Sequence, residues 1–573
     1  MTPREQPASF HELVARRAET RPDDELVRLV GAPGWTAAAL WERALDIAGA
    51  LSRHVAPGDA VATCLPAGPE AIALTTALSA LGAVELPLTP DVHETWTASL
   101  LQATNCTTII TADTGPTTVR RTAAGLPAAG HAAQRDRAAD AAARVGSAVD
   151  AAARVGSAVG GAARVGSAVG GAARVGSAVG GAARVGSAVG GPVRGGAVLL
   201  DELIADGRRV SPRKSAPADP AAVMTTSGTT GRVKGALLPV GAGPGQAVRV
   251  QRAMQYDESD VLYSFFSWQH INARHAAFLP AVLSGARLVI GPRFSASRFL
   301  ETVRAEGVTA FNFMGAVCAL LLRQPPTDRD RDHLVRRAYG GPAPEYLFHA
   351  MRDRFGIELL QAYACTELGD VATTSSGHVR PGAAGRIVPE YNTRIVNNLD
   401  VDVAAGEIGE LIVRPEQPDL TFTTYVGDPA AADRAWRGGW FHTGDQVRLE
   451  DGWLYFEGRS ADVVRRRGIN ISPDAVEQAI ASMPGVAEVA VVGVPSELTE
   501  DEVLAVVVPL PSAVLQPAEV RRHCVGRLPR HALPRFVSIE HSLPCNANLK
   551  VSRNELRARG VPPNTWDAES ENP

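Results

Sequence analysis

Apolar residues recur every three to four positions across 10–18 and again across 36–51, the spacing that gives a helix one buried face. A compact apolar run at 59–65 then reads as a buried strand and passes through Pro66 and Gly68 into a helical stretch at 70–81. A second strand is predicted at 82–88, a helix in the 90s and a third strand at 107–110. Strands alternating with helices in this way predict a parallel α/β architecture. Further downstream, strands are predicted at 221–224, 288–290, 308–315, 409–413 and 453–456, with a helix at 294–306. Near the carboxy terminus, Ser472 followed by Pro473 has the form of a capped helix start, and 486–494 and 503–509 read as strands of a smaller unit.

One stretch breaks the pattern. Residues 141–190 hold five ten-residue copies built on AARVGSAVG. That period is short for a solenoid unit, and ten residues do not complete three helical turns, so any apolar stripe drifts around the axis. Frequent glycine and the lack of large side chains predict a linker without a core of its own.

Composition narrows the class. The 573 residues suffice for several domains. A formal net charge of −4 gives no electrostatic reason to expect a nucleic-acid partner. No apolar run reaches membrane-spanning length and the amino end lacks a signal-like apolar segment, so stable membrane insertion is not expected and a cytoplasmic location is. Cysteines at 64, 106, 318, 365, 524 and 545 are scattered, without the close pairing of a metal or disulfide framework.

Candidate chemistry concentrates first in Thr226-Ser227-Gly228-Thr229-Thr230-Gly231, closed by Lys234. Glycines permit tight turns and close backbone approach, and hydroxyls, amides and a lysine are the donors a polyphosphate needs. Ordered motifs follow. An aromatic segment holds Phe265, Phe266, Trp268, Gln269 and His270, and a strand with a glycine at its outgoing end holds Phe311, Asn312, Phe313, Met314 and Gly315. Gly340-Gly341-Pro342 marks a strand-to-turn transition whose glycines would let a flat ligand lie against backbone. Tyr363 to Glu367, Trp440 to Asp445, Gly458 to Val464, the glycine loop at Gly468 and a terminal stretch around Lys550 complete the series.

In this order the motifs resemble those of the adenylate-forming superfamily, which holds the acyl-CoA synthetases, adenylation domains and luciferases, and in particular a bacterial acyl-CoA or aryl-acid ligase. The resemblance implies an α/β fold with a large, multi-subdomain amino-terminal domain over 1–459, interrupted by the repeats, and a small mobile α+β domain over 460–573. It implies ATP-dependent activation of a carboxylic acid to an acyl-AMP with release of pyrophosphate, then thioester formation with CoA. By the same resemblance Thr226 to Gly231 and Lys234 hold phosphates, and Gly341, Pro342 and Tyr363 hold adenine. Thr366 contacts phosphate or carboxylate, and Glu367 binds Mg²⁺. Asp445 and Arg459 hold the nucleotide, with ribose at Asp445, and Gly468 faces the site during thiolation. Lys550, with Glu367, Thr226 and His270, is placed at the chemistry. Phe266, Trp268, His270, Asn312, Phe313, Met314, Gly315 and Gly340 are placed around the acid. The aromatic side chains favour an aryl or arylacrylic acid, with Asn312, Gln269 or His270 satisfying an amino or hydroxyl substituent. A nitrite-dependent diazotase acting on an amino-aryl acid and an enzyme serving a carrier protein are the alternative readings. Four departures stand out. Val233 replaces the usual proline of the phosphate loop, Ala364 a glycine, Ala461 the charged hinge residue, and Leu549 a glycine often found before the terminal lysine. The oligomeric state is not legible.

Overall fold

The computed structural model describes residues 9–88, 94–112, 197–199, 210–227, 233–459, 462–466, 469–496, 500–511, 513–545 and 551–570. The repeats at 141–190 lie outside the described residues, as do Gly228 to Gly231, Ala461, Gly468 and Lys550.

Local signals set the elements where the pattern placed them. The first helix, Phe10–Thr20, starts at Ser9, whose hydroxyl accepts from the Glu12 amide while the Glu12 carboxylate accepts from the Ser9 amide. Helix Pro69–Leu81 opens with proline in its first turn and closes on Gly82 in the left-handed conformation. Three parallel strands, Ala60–Cys64, Val84–Pro87 and Thr108–Thr111, form the centre of a seven-stranded sheet. The antiparallel hairpin Pro220–Ser227 and Val233–Pro239 extends it on one side, and Thr424–Val426 forms that edge.

A second sheet of nine strands has Arg337–Gly340, Ala310–Phe313, Val261–Ser264 and Arg287–Ile290 running parallel at its middle. Two predicted boundaries change here. The strand expected at 308–315 stops at Phe313, because Met314 caps a helix that begins at Gly315. The helix expected at 294–306 is Ala296–Ala305. The largest apolar cluster packs helices Phe10–Thr20, Ala37–Leu51 and Pro69–Leu81 with this nine-stranded sheet. A five-stranded antiparallel sheet built on Gly409–Pro415 and Trp440–Glu450 completes the large domain.

The small carboxy-terminal domain holds helix Pro473–Ala481 against a four-stranded sheet led by Val486–Pro495 and Asp501–Pro509. Its α+β character follows from the mixture of antiparallel and parallel pairing. Among the described residues no helix is long and apolar enough to cross a membrane. All six cysteines are free thiols.

A buried ion pair joins the seven-stranded sheet to the helical turn that follows the aromatic segment. Arg274 places two nitrogens on the two Glu85 oxygens at 2.6 and 2.9 Å. The hydroxyls of Thr63 and Thr75 both donate to Glu85 Oε1, and the Trp268 indole donates to Thr75 at 2.9 Å. Burial alone would raise the Glu85 carboxyl, but the Arg274 charge and these hydrogen bonds outweigh it and hold it below the ordinary range. The aromatic segment is thereby anchored to the core before it reaches the site.

Candidate active site

The phosphate-loop candidate is the turn of a β-hairpin. Thr226 lies opposite Lys234 and Ser227 opposite Val233, and residues 228–232 between these flanks lie outside the described residues. Gly235 is required by packing: a Cβ there would fall 2.7 Å from Val223 and 2.8 Å from Leu100. The Lys234 ammonium lies 4.7 Å from the centroid of the Tyr425 ring on the neighbouring edge strand.

Strand Glu358–Cys365 delivers Thr366 and Glu367 on a half-buried turn. The turn is held from several sides. Phe422 donates its amide to the Glu367 carbonyl at 2.8 Å, and Tyr391 and Arg249 both donate to the Leu368 carbonyl. Tyr425 donates its hydroxyl to Glu367 Oε1 at 2.8 Å. No group of three or more His, Cys, Asp or Glu side chains suited to a metal occurs among the described residues. One half-buried carboxylate fits Mg²⁺ when most of its oxygens come from substrate phosphate and water, the ion's usual arrangement. It does not suit an ion that needs a cage made wholly of protein.

Asp445 and Arg459 face each other across adjacent antiparallel strands. Arg459 Nε lies 3.1 Å from Asp445 Oδ1, and the Tyr363 hydroxyl donates to Oδ2 at 2.6 Å. Burial first, then the Asp445 charge, pushes the Tyr363 phenol far above its ordinary range, so it stays a donor. Its ring leans toward Phe456, with centroids 6.3 Å apart. The Tyr363 hydroxyl is committed inside the protein, which leaves only the ring for a base.

The acid-pocket residues divide. His270 is half-exposed, caps the start of helix Ile271–Ala273 and accepts the Asn272 amide on Nδ1 at 3.1 Å, which places the ring proton on Nε2. The Phe266 and His270 rings lie nearly parallel with centroids 6.4 Å apart, and Met314 is half-buried. A π-helical turn, Arg274–Phe278, follows at once and changes the pitch behind His270.

Several expectations change. Trp268, expected as pocket wall, is a core residue. It is 2% exposed, packs edge-on against Phe10 and Phe278, and has its N–H taken by Thr75. Phe313 and Phe266, expected beside it, are buried in the same core, as is Phe311. Asn312 gives both amide hydrogens to the protein, to Asn272 Oδ1 at 2.8 Å and the Ala276 carbonyl at 3.0 Å. Gln269 gives its amide to the Leu65 carbonyl. Gly340 and Gly315 lack side chains for the protein's own sake, since a Cβ would fall 1.8 Å from the Phe313 carbonyl oxygen and 2.5 Å from that of Pro342 respectively. Gly341 has φ +140°, a value that side chains rarely adopt, and precedes an exposed Pro342.

In the small domain, Arg553 pairs with Asp474 at 2.6 Å and Glu477 at 2.8 Å, and Arg557 pairs with Asp462 just after the hinge candidate. The terminal helix is thus tied to the segment that follows Ala461. Tyr425, Asn272 and Arg249 are assigned no role by the motifs that point to the site. Tyr425 and Arg249 reach it from stretches that no local pattern marks, whereas Asn272 stands two residues beyond His270 in the aromatic segment.

The model of the AMP-binding enzyme family matches residues 14–425, and that of the AMP-binding enzyme C-terminal domain matches 475–550. The chain belongs to the AMP-binding enzymes. It is an adenylate-forming ligase by class. The indoleacetate–CoA ligase of Aromatoleum aromaticum is 31% identical over 347 residues, 60% of this chain and 67% of the relative. The crotonobetaine/carnitine–CoA ligase of Salmonella typhi is 29% identical over 356 residues, 59% of this chain and 66% of the relative. The aligned stretch therefore spans about two thirds of these curated relatives. Among solved structures, the anthranilate CoA ligase AuaEII in complex with anthranoyl-AMP superposes with a TM-score of 0.78 at 19% identity, covering 97% of this chain and 98% of that one. That likeness establishes the shared two-domain fold.

Proposed function

We propose that the protein activates an aromatic or arylacrylic acid with ATP and passes the acyl group to CoA. The observation that carries the reading is the convergence of hairpin, turn and sheet: Lys234 and Glu367 meet on one tyrosine, while Asp445 and Arg459 are paired beside Tyr363.

The hairpin hydroxyls and Lys234 bind the β- and γ-phosphates, and Asp445 accepts the ribose hydroxyls. Glu367 holds Mg²⁺, which when bound neutralises phosphate charge. A substrate carboxylate oxygen attacks the α-phosphorus, the bond to the bridging oxygen breaks, and pyrophosphate leaves with its electron pair. Lys550 stabilises the charge that develops there, so catalysis rests on positioning and electrostatics. The Gly468 loop then faces the site, a thiol sulfur attacks the acyl carbon, and AMP departs.

Two supports favour a ring. The half-exposed His270 ring, backed by the buried Phe266 at an interplanar angle of 29°, offers a flat surface, and the names of the indoleacetate and anthranilate ligases specify aryl acids, although the crotonobetaine/carnitine ligase does not. Asn312 sharpens the choice. With both amide hydrogens committed, it retains only an acceptor oxygen, so a ring substituent facing it must donate. An amino or hydroxyl group meets that requirement.

The deciding experiment is competition among aminocinnamate-like acids, their nitro counterparts and octanoate at equal concentration, read by pyrophosphate release and product mass. Amino-aryl acids are expected to win. Preference for octanoate sinks the aromatic reading. Transfer to a carrier-protein thiol in place of CoA replaces the acceptor while leaving the first step in place, whereas a diazo product that needs nitrite makes nitrite the activated group and the aryl amine its acceptor, which replaces the first step and keeps only the aromatic pocket.

A further inference from the structure

We propose that Tyr425 is a positioning residue that aligns the Glu367 carboxylate and the Lys234 ammonium through one phenol, so that the metal-binding oxygen and the phosphate-binding cation are set together. The inference rests on the reading of Glu367 and Lys234 given above.

Tyr425 occupies the middle of edge strand Thr424–Val426, opposite Ala236 of the hairpin strand that carries Lys234. It is buried, and its ring packs on Phe422 with centroids 4.7 Å apart. Two contacts leave this rigid base. The hydroxyl donates to Glu367 Oε1 at 2.8 Å, and the ring face lies 4.7 Å from Lys234 Nζ. Phe422 adds a backbone anchor by donating its amide to the Glu367 carbonyl. The turn and its side chain are therefore both fixed from the 422–425 segment.

The chemistry suits the task. A phenol donor fixes the torsion of a carboxylate without cancelling its charge, which an arginine or lysine partner would do. The aromatic face attracts the Lys234 ammonium without giving it a counter-charge, leaving that charge for phosphate. A carboxylate and a lysine in direct contact would satisfy each other instead. Tyr425 restrains both groups while keeping them apart in chemical terms.

The test is a Mg²⁺ titration of binding of a non-hydrolysable ATP analogue, followed by calorimetry, on the full chain and on the variants Tyr425→Phe, Tyr425→Leu and Glu367→Gln and the Phe/Gln double variant. Tyr425→Phe keeps the buried ring and removes only the hydroxyl. It is expected to raise the half-saturating Mg²⁺ concentration about tenfold, the scale of a lost hydrogen bond to a charged group, without changing analogue affinity at saturating Mg²⁺. In the double variant Tyr425→Phe should add nothing to Glu367→Gln, a result that a general packing defect would not give. Tyr425→Leu should in addition weaken analogue binding at saturating Mg²⁺. If Glu367→Gln shifts the Mg²⁺ requirement and Tyr425→Phe does not, Tyr425 has no positioning role and the reading of Glu367 stands. If Glu367→Gln shifts nothing, that reading fails first. Equal binding by the Leu and Phe variants overturns the part assigned to the ring. Thermal melts identify any variant that does not fold, and the Tyr425→Phe comparison alone then decides the role of the hydroxyl.

Discussion

Two carboxylate–arginine–hydroxyl clusters in this molecule use the same residue types for opposite ends. Glu85 accepts two nitrogens of Arg274 and the hydroxyls of Thr63 and Thr75, and both charged side chains are almost wholly buried. Asp445 accepts Tyr363 on one oxygen and meets Arg459 on the other, and the Arg459 side chain is 31% exposed. The first cluster is closed, so its contacts can serve only the fold. The second is open only at its arginine: the Asp445 side chain is itself 5% exposed, so a ligand hydroxyl reaches it past the partly exposed Arg459. Residue identity does not separate the two roles. The number of contacts already made within the protein, and what remains open, does.

The comparison can be broken most forcefully at Glu85. Glu85→Ala leaves the Arg274 charge buried and unpaired, and should cost about 3–5 kcal/mol in urea unfolding. Asp445→Asn should do the reverse. Its effect on stability should be smaller, about 1–3 kcal/mol, because the amide still accepts a hydrogen bond and the partner arginine is partly exposed. Its KM for ATP should rise by roughly ten- to a hundredfold, corresponding to about 1.5–3 kcal/mol for a lost hydrogen bond to a charged group. An Asp445→Asn protein with unchanged KM for ATP would place the ribose elsewhere.

Acidity offers a sharper discrimination. The Glu85 carboxyl is depressed in the folded state, so its contribution is present above the unfolded value of about 4.3 and is lost as pH falls toward and through the folded value. Urea midpoints measured downward from pH 6 should therefore fall more steeply below about pH 4.3 in the native chain than in the double variant Glu85→Leu/Arg274→Met. That double variant should also recover most of the stability that Glu85→Ala loses, because well-packed apolar replacements avoid burying charge. The smallest effect is expected from excising the repeats at 141–190. Their sequence offers little large apolar surface for docking, so kcat/KM should stay within about twofold of the starting value.

Much of the fold was legible because its signals are local. Period-3.6 spacing and the Ser472 cap placed helices within a few residues of their bounds, while the Ser9 cap and the Gly82 stop are seen in the structure. The strand at Val84–Pro87 was legible for the same reason, a short apolar run between turn signals. The aromatic pocket was less legible, because a large ring has the same sequence signature whether it faces a ligand or the core. Trp268 and Phe313 went to the core once Phe10, Phe278 and the nine-stranded sheet closed around them.

What the sequence by itself determined is the order of the motifs, the alternation that builds parallel sheets and the identity of the groups able to meet phosphate, ribose and acid. Each is a property of neighbours along the chain. Tertiary structure decided which groups remain available. Asn312 was reduced to an acceptor by Asn272, 40 positions away, and Glu367 gained a fixed oxygen from Tyr425, 58 positions away. Glu85 was closed off by Arg274, 189 positions distant. Hydrogen-bond capacity is finite and is consumed by whichever groups the fold brings within 3 Å, so availability belongs to the folded arrangement and not to the residue.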